Sequence, residues 1–442
     1  MNEDQFNGIN RRHFLSALTA VGIGGYITQS ASKDSVLASG AEPESSNFPF
    51  GAESEGFDLL DSFPILQNPT TDSVNVVWAI KKAATGWVEW GTTKELGNIA
   101  QNSQFGLKPY ADRFLSNRIA GLKPNSTYYY RTVTVPIDFK HAYLILPGTP
   151  VFSHIYSFTT PGENTDSASF AVMNDTHQNL KTLAALTKRF SELNPDYILW
   201  NGDLRDDYPS ANAVVESILR PNNVPFAVEK PLLFVPGNHD SRGIWARNLP
   251  LALTPWIQND ARYYALGRNF AVRQGPVAFI GLDTGEDKPD ANPVWGGLAL
   301  FEPYRELQAA WLADILETPE IKKAPFVIAF CHIPLFDPDP NANPGDLLTH
   351  YAAYQRPCQK LWSPLFNKHK VQLLITAHQH RFRYDSPDEN RSWSQIVGGG
   401  PDLKKNATLI YGKVEAQKLI VSVEKVADQS NLGTYEFEPR FS

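Results

Sequence analysis

Residues 197–206 read Tyr197-Ile198-Leu199-Trp200-Asn201-Gly202-Asp203-Leu204-Arg205-Asp206, a short apolar run that gives way at once to glycine and carboxylates. A buried parallel strand has that composition, and it delivers the residues at its carboxyl end to one edge of a sheet, where the sites of open α/β folds lie. Four other stretches repeat the arrangement. Asp175-Thr176-His177 comes after Phe170–Met173, and Gly237-Asn238-His239-Asp240 after Leu232–Val235. Cys331-His332-Ile333-Pro334 comes after Phe326–Phe330, and Ala377-His378-Gln379-His380 after Leu373–Thr376. Of the 10 His, five lie in these motifs (177, 239, 332, 378, 380) and five elsewhere (13, 141, 154, 350, 369). Random placement would not put half of them directly after buried strands. A mixed Asp/His/Asn set suits Mn, Fe, Zn or Co rather than Ca or Mg alone.

Around these motifs, from Ser169 onward, strands alternate with helices. Leu180, Leu183, Leu186, Phe190 and Leu193 mark the apolar face of one helix. Ala211–Leu219 reads as a short helix and Val277–Leu282 as a further strand. Leu307, Trp311, Leu312, Ile315 and Leu316 have helical spacing and read as core. Gln395–Val397, Thr408–Val414 and Leu419–Val423 are expected to be antiparallel strands completing a second sheet.

Before Ser169 the pattern is all β. Val74–Trp78 and Gly86–Trp90 alternate with period two, Tyr128–Val135 reads as a strand, and His154–Thr160 reads as the last one. This predicts an antiparallel sandwich of about 100 residues. Its Leu122-Lys123-Pro124-Asn125-Ser126-Thr127-Tyr128 run resembles the tyrosine corner of fibronectin type III domains.

The full chain has 442 residues, more than one ordinary core, so two domains are expected after a leader. Its net charge of −7, with no Lys/Arg-rich stripe, argues against a nucleic-acid polymer as primary partner. Asn10-Arg11-Arg12-His13-Phe14-Leu15, ahead of a weakly apolar run to Ile27, resembles a twin-arginine export signal with a cleavage site at Ser39-Gly40-Ala41. The run is too short to span a bilayer, so no stable membrane anchor is expected. Export machinery would then be a partner of the precursor, and the mature chain would be periplasmic or secreted. Both cysteines, Cys331 and Cys358, are open to pairing; Cys331 reads as a small buried thiol at a strand end.

With its five motifs in this order, residues 169–426 resemble the calcineurin-like metallophosphoesterase superfamily. With the β part before them, the mature chain resembles bacterial relatives of purple acid phosphatases. The resemblance implies an α/β four-layer sandwich, two packed mixed sheets flanked by helices, preceded by an all-β fibronectin/immunoglobulin-like sandwich. The implied boundaries are a leader at 1–41, a linker at 42–56, the β domain at 57–162, the catalytic domain at 165–427 and a tail at 428–442.

It further implies two divalent or mixed-valence transition metals that activate a hydroxide to hydrolyse small phosphate esters, monoesters before diesters or nucleotides. Asp175, His177 and His380 would hold the first metal, Asn238, His332 and His378 the second, and Asp203 would bridge them. His239 would protonate the leaving group, with Asp206 accepting from its ring. Purple acid phosphatases carry a metal-binding Tyr at the position of Asp206, so the non-purple branch fits better. Ala377 also stands where Gly usually precedes the final His-x-His, which is harmless if its φ stays negative. Asp240, Arg242, Arg381 and Arg383 are candidates for substrate contact. A rival reading is a non-catalytic binding protein that uses Trp78, Trp87 and Trp90 as an exposed platform.

Overall fold

The computed structural model describes residues 58–338 and 352–441; the expected leader and linker lie outside them. The first half comprises β1 (Ile65–Thr70), β2 (Ser73–Ala79), β3 (Ala84–Gly91), β4 (Asn98–Ala100), β5 (Phe114–Ala120), β6 (Thr127–His141), β7 (Leu144–Pro147), β8 (Val151–Phe152) and β9 (Tyr156–Thr159). Next come β10 (Ser169–Met173), helix α1 (Leu180–Leu193), β11 (Tyr197–Asn201), β12 (Leu232–Val235), β13 (Phe270–Gln274) and β14 (Val277–Gly281). Helix α2 (Phe301–Glu317), β15 (Phe326–Phe330), helix α3 (Ala352–Lys368) and β16 (Leu373–Thr376) come after these. The chain closes with β17 (Arg383–Asp385), β18 (Ser394–Val397), β19 (Thr408–Glu415), β20 (Lys418–Lys425) and β21 (Asn431–Phe437).

Strand parity builds four layers. In β10 and β11, Phe170, Val172, Tyr197 and Leu199 point to one face, where they meet Phe279, Ile328, Phe330 and Ile375 of the second sheet. The alternate residues Ala171, Met173, Ile198 and Trp200 face Leu183, Leu186 and Phe190 of α1. In the second sheet, Ala278, Ile280, Val327 and Ala329 turn outward onto Trp311, Leu312 and Leu316 of α2 and Trp362 and Phe366 of α3. The order is therefore helix, sheet, sheet, helices, as the period of two dictates for strands buried on both faces. Asn179 starts α1 by accepting from Lys181 and Thr182 N–H, and Asn194 ends it in a left-handed conformation.

The first sheet has nine strands in the order β21-β20-β19-β10-β11-β12-β1-β2-β5, and the second has six in the order β13-β14-β15-β16-β18-β17. The last three expected strands are thus divided: β18 pairs in parallel with β16, while β19 and β20 join the first sheet beside β10. The expected tail is partly a strand, β21, paired with β20. Behind it Arg440 donates to the main-chain oxygens of Ile321, Ala324 and His369.

The amino-terminal β region shares a sheet with the rest. β1 lies parallel to β12 at Gln67, whose amide bonds Ala252 O at 2.8 Å and Thr254 N–H at 2.9 Å. The other wall of the sandwich is β4-β3-β6-β7, closed over a core of Leu66, Val76, Trp78, Leu115, Val88 and Tyr130. The Tyr128 phenol oxygen accepts from Lys123 N–H at 2.9 Å, the bond that makes a tyrosine corner. Trp78 is buried and donates to Thr134 Oγ1, Trp90 packs edge-on to Tyr128, and Trp87 and Trp90 are half-buried, so the three rings form no exposed platform.

Phe279 sits between the two sheets, with ring centroids of Phe170, Tyr197 and Phe330 at 5.3, 5.7 and 6.2 Å. Phe279→Ala is expected to cost about 3–5 kcal/mol. A shift of the urea midpoint at unchanged slope measures it.

Candidate metal centre

Every expected metal ligand, with Asp206 and His239, lies just past the carboxyl end of a parallel strand: β10, β11 and β12 in one sheet, β15 and β16 in the other. The two edges face each other. Asn201 joins them by donating to the carbonyls of Cys331 and Ile375, both at 3.2 Å. The loops turn sharply there. Asp175, His177, Asp203, His378 and His380 have φ of 46, 42, 51, 69 and 53°, in the left-handed region that such side chains seldom adopt. Ala377 is absent from the positive-φ residues, so alanine suits its place.

Three groups of potential ligand atoms converge: Asp175, His177, Asp203 and His380; Asp203, His332 and His378; and His177, Asp206 and His239. Asp203 belongs to the first two. Its Oδ2 lies 3.2 Å from His332 Nε2 and 3.6 Å from His177 Nε2, and its Oδ1 accepts from His239 N–H at 2.9 Å. Asp175 takes the His378 N–H and lies 3.4 Å from His380 Nε2. Asn238 Oδ1 and His378 Nδ1 are 2.9 Å apart.

The outward ring nitrogens carry the argument for cations. His332 Nδ1 faces the Asn201 carbonyl at 2.8 Å, so it holds a proton there and leaves Nε2, turned inward, to a second proton or to a cation. That Nε2 is buried and has no hydrogen-bond partner. His177 Nδ1 faces Asp206 Oδ1 at 2.6 Å, and its Nε2 lies 3.1 Å from His380 Nε2. Inward lone pairs at that spacing, among buried carboxylates, fit transition-metal cations.

Titration obeys the same logic. Burial opposes charge on Asp203, yet His332, His239 and His378 hold it well below the usual carboxylate range. Burial also opposes charge on His332, but Asp203 and Asp175 push it up to about 10, so a proton sits where a cation would. Burial and the neighbouring His332 push His378 down to about 4.

Several residues act otherwise than the sequence suggested. The Asp206 carboxylate orients His177, not His239; His239 Nδ1 instead meets the Asp206 carbonyl at 2.8 Å. The reach of the loop explains it, because Gln178 Nε2 holds Asp206 Oδ2 at 2.7 Å and turns the carboxylate toward the first strand end. Asp240 is fully buried rather than substrate-facing, and accepts from the N–H groups of Asp203, Leu204 and Gly237 and from Tyr208 Oη at 2.6 Å. Arg383 is committed to Asp337 and Asp385, and Arg381 is exposed. Cys331 and Cys358 are free buried thiols. Sequence reasoning misses Gln178, Asn174, which donates to Asp175 Oδ2, and the Glu286–Asp287 pair that holds Arg242. Only the positions of Asn174 and Gln178, directly flanking a motif, could have signalled any of them.

Residues 168–382 match the family model of calcineurin-like phosphoesterases. The chain carries a calcineurin-like phosphoesterase domain. It is thereby placed among metal-dependent phosphoesterases. The fold is similar to that of purple acid phosphatase PPD1 from yellow lupin (Lupinus luteus) seeds, with 15% identity over 86% of this chain and 74% of that one, at a TM-score of 0.62. It is also similar to PhoD, with 14% identity over 86% of this chain and 89% of that one, at 0.57. No curated protein matches the sequence.

In this phosphoesterase domain Asp240 is the buried clasp beneath Asp203. Asp240→Ala orphans three backbone donors, at about 1–3 kcal/mol each. Stability measured by denaturation and metal content should fall together. Tyr208→Phe should cost about 1 kcal/mol and leave metal content unchanged. Because Tyr208 is bonded to Asp240, the iron-loaded protein should show no iron–tyrosinate band for that variant to remove.

Proposed function

We propose that this chain hydrolyses phosphate esters, monoesters first, at a dinuclear metal centre. Asp175, His177 and His380 hold one cation; Asn238, His332 and His378 hold the other; Asp203 is shared. The observation that carries this reading is the membership of Asp203 in two ligand-sized groups at once. Transition-metal cations held there lower the pKa of water and neutralise charge on phosphoryl oxygens.

The protein's own groups set that chemistry up. Asp206 and the Asn201 carbonyl hold His177 and His332 with Nε2 inward. His239 holds Asp203 through its main chain and presents its ring above the Asp206 carbonyl, where it serves the leaving-group oxygen. In the same reading Arg11-Arg12 begins a twin-arginine leader at 1–41 that sends the chain to the periplasm or outside. Residues 57–162 form a fibronectin-like sandwich, and residues 165–427 form the catalytic unit.

Metal analysis with p-nitrophenyl phosphate and bis-p-nitrophenyl phosphate tests the proposal. About two metals per chain are expected, with turnover of the monoester exceeding that of the diester. Two bound metals without turnover of either ester would sink it. Asp203→Ala should lose both metals and all activity, as should chelation of the parent, which added metal restores. His239→Ala should keep its metal while kcat falls about 10²–10⁴-fold, less for substrates with good leaving groups.

A further inference from the structure

Arg242 stands beside the metal centre on a support of its own. Its Nε and Nη2 bond the two oxygens of Glu286 at 2.7 and 3.0 Å, and Nη2 reaches Asp287 at 3.1 Å. Glu286 is 0% exposed, whereas the Arg242 side chain keeps 23% of its surface. Glu286 is itself pinned: buried Arg305 of α2 donates to the carbonyls of Thr284 and Glu286, both at 2.8 Å. The Arg242 main chain is fixed by bonds from Tyr208 N–H to its carbonyl and from its own N–H to His239 O, both at 3.0 Å. Gly243 comes next at φ +93°, where a Cβ would strike the Tyr208 backbone.

One edge of the guanidinium is thus consumed by buried carboxylates, and the remaining nitrogen, Nη1, faces the site. It lies 2.9 Å from His239 Nε2 and 3.3 Å from Nδ1. Nearly equidistant from the two ring nitrogens, Nη1 lies against the face of the ring rather than in line with the Nε2 lone pair, so its hydrogens are not spent on a ring nitrogen. A guanidinium held by its back edge with a front N–H toward an anion-binding centre is preorganised for a phosphoryl oxygen.

The geometry points to Arg242 as the residue that selects phosphomonoesters, through a hydrogen bond from Nη1 to a terminal phosphoryl oxygen; this rests on the hydrolase reading above. A monoester offers three terminal oxygens and a diester two, so a donor outside the metal ligands has one more oxygen to meet in the monoester. Glu286 is the positioning residue behind it.

Arg242→Ala alone would strand the buried Glu286 carboxylate and threaten the fold. The test is therefore the double variant Arg242→Gln with Glu286→Gln, in the metal-loaded full chain, beside Arg242→Lys. Inorganic phosphate binding is measured by calorimetry, metal content by elemental analysis, and kcat/KM with mono- and bis-p-nitrophenyl phosphate. The double variant should keep its metals, bind phosphate about 10- to 100-fold more weakly, and lose a similar factor on the monoester. The diester should change less than about threefold. Arg242→Lys should recover part of the phosphate affinity. Phosphate affinity within twofold of the parent, equal losses on both esters, or weaker binding that tracks lost metal would each overturn the assignment. Turnover by the parent chain judges the hydrolase reading separately, because phosphate binding reads Arg242 with or without it.

Discussion

A charged carboxylate in a dry place is the constraint on which this structure depends. Asp203 is almost fully buried, and its charge is tolerable only because something positive or hydrogen-bonding meets each oxygen. His239 N–H takes Oδ1, and His332 and His177 turn their Nε2 atoms toward Oδ2. Gly237 is glycine because a Cβ there would lie 2.3 Å from Oδ1, and Gly202 because a Cβ would lie 2.4 Å from His332 Nδ1. Asp240 then holds the Asp203 backbone from below. Each of these makes sense only if Asp203 must stay ionised at a fixed point between two strand edges.

Holding that point demands backbone strain. Five of the expected ligands sit at positive φ, and such positions cost about 1–3 kcal/mol each unless the surroundings over-determine them. Here they are over-determined. Asp175 N–H bonds Gly202 O, His177 N–H bonds Asp203 O, and Ala377 N–H bonds His332 O, so each loop is stitched to the next. The two-sheet core beneath, with Phe170, Phe279 and Phe330 in mutual contact, supplies the rigidity that such loops require.

Much of this is legible in the sequence. The strands β10, β11, β12, β14, β15 and β16 announce themselves because burial on both faces leaves an unbroken apolar run. The cluster of potential ligands is legible because each motif comes directly after such a run. Facts of three-dimensional pairing escape. Nothing local in Thr408–Val414 or Leu419–Val423 says which sheet they join, and nothing in Ile65–Thr70 says that β1 will lie against β12. Asp206 goes to the wrong histidine for the same reason, since spacing from Asp203 says nothing of where Gln178 pulls the carboxylate. Asp240 looks like a turn residue because burial of a loop carboxylate leaves no trace in local hydropathy.

The end of β14 shows how the same strand-edge logic extends past the ligands. β14 lies parallel to β15, so the loop after it also arrives at the site, yet it carries no histidine. It brings Glu286 and Asp287 instead, fixed from behind by Arg305 of α2. Carboxylates there cannot be spare ligands, because Arg242 already occupies both Glu286 oxygens. Their work is to hold a cation of the protein's own, with one nitrogen turned to His239. The metal-facing edge is thus made of two kinds of strand end: those that offer lone pairs to a cation, and one that aims a guanidinium. The first kind is shared chemistry for any phosphate ester. The second depends on how many terminal oxygens the ester presents, and so it is where discrimination between esters resides in this chain.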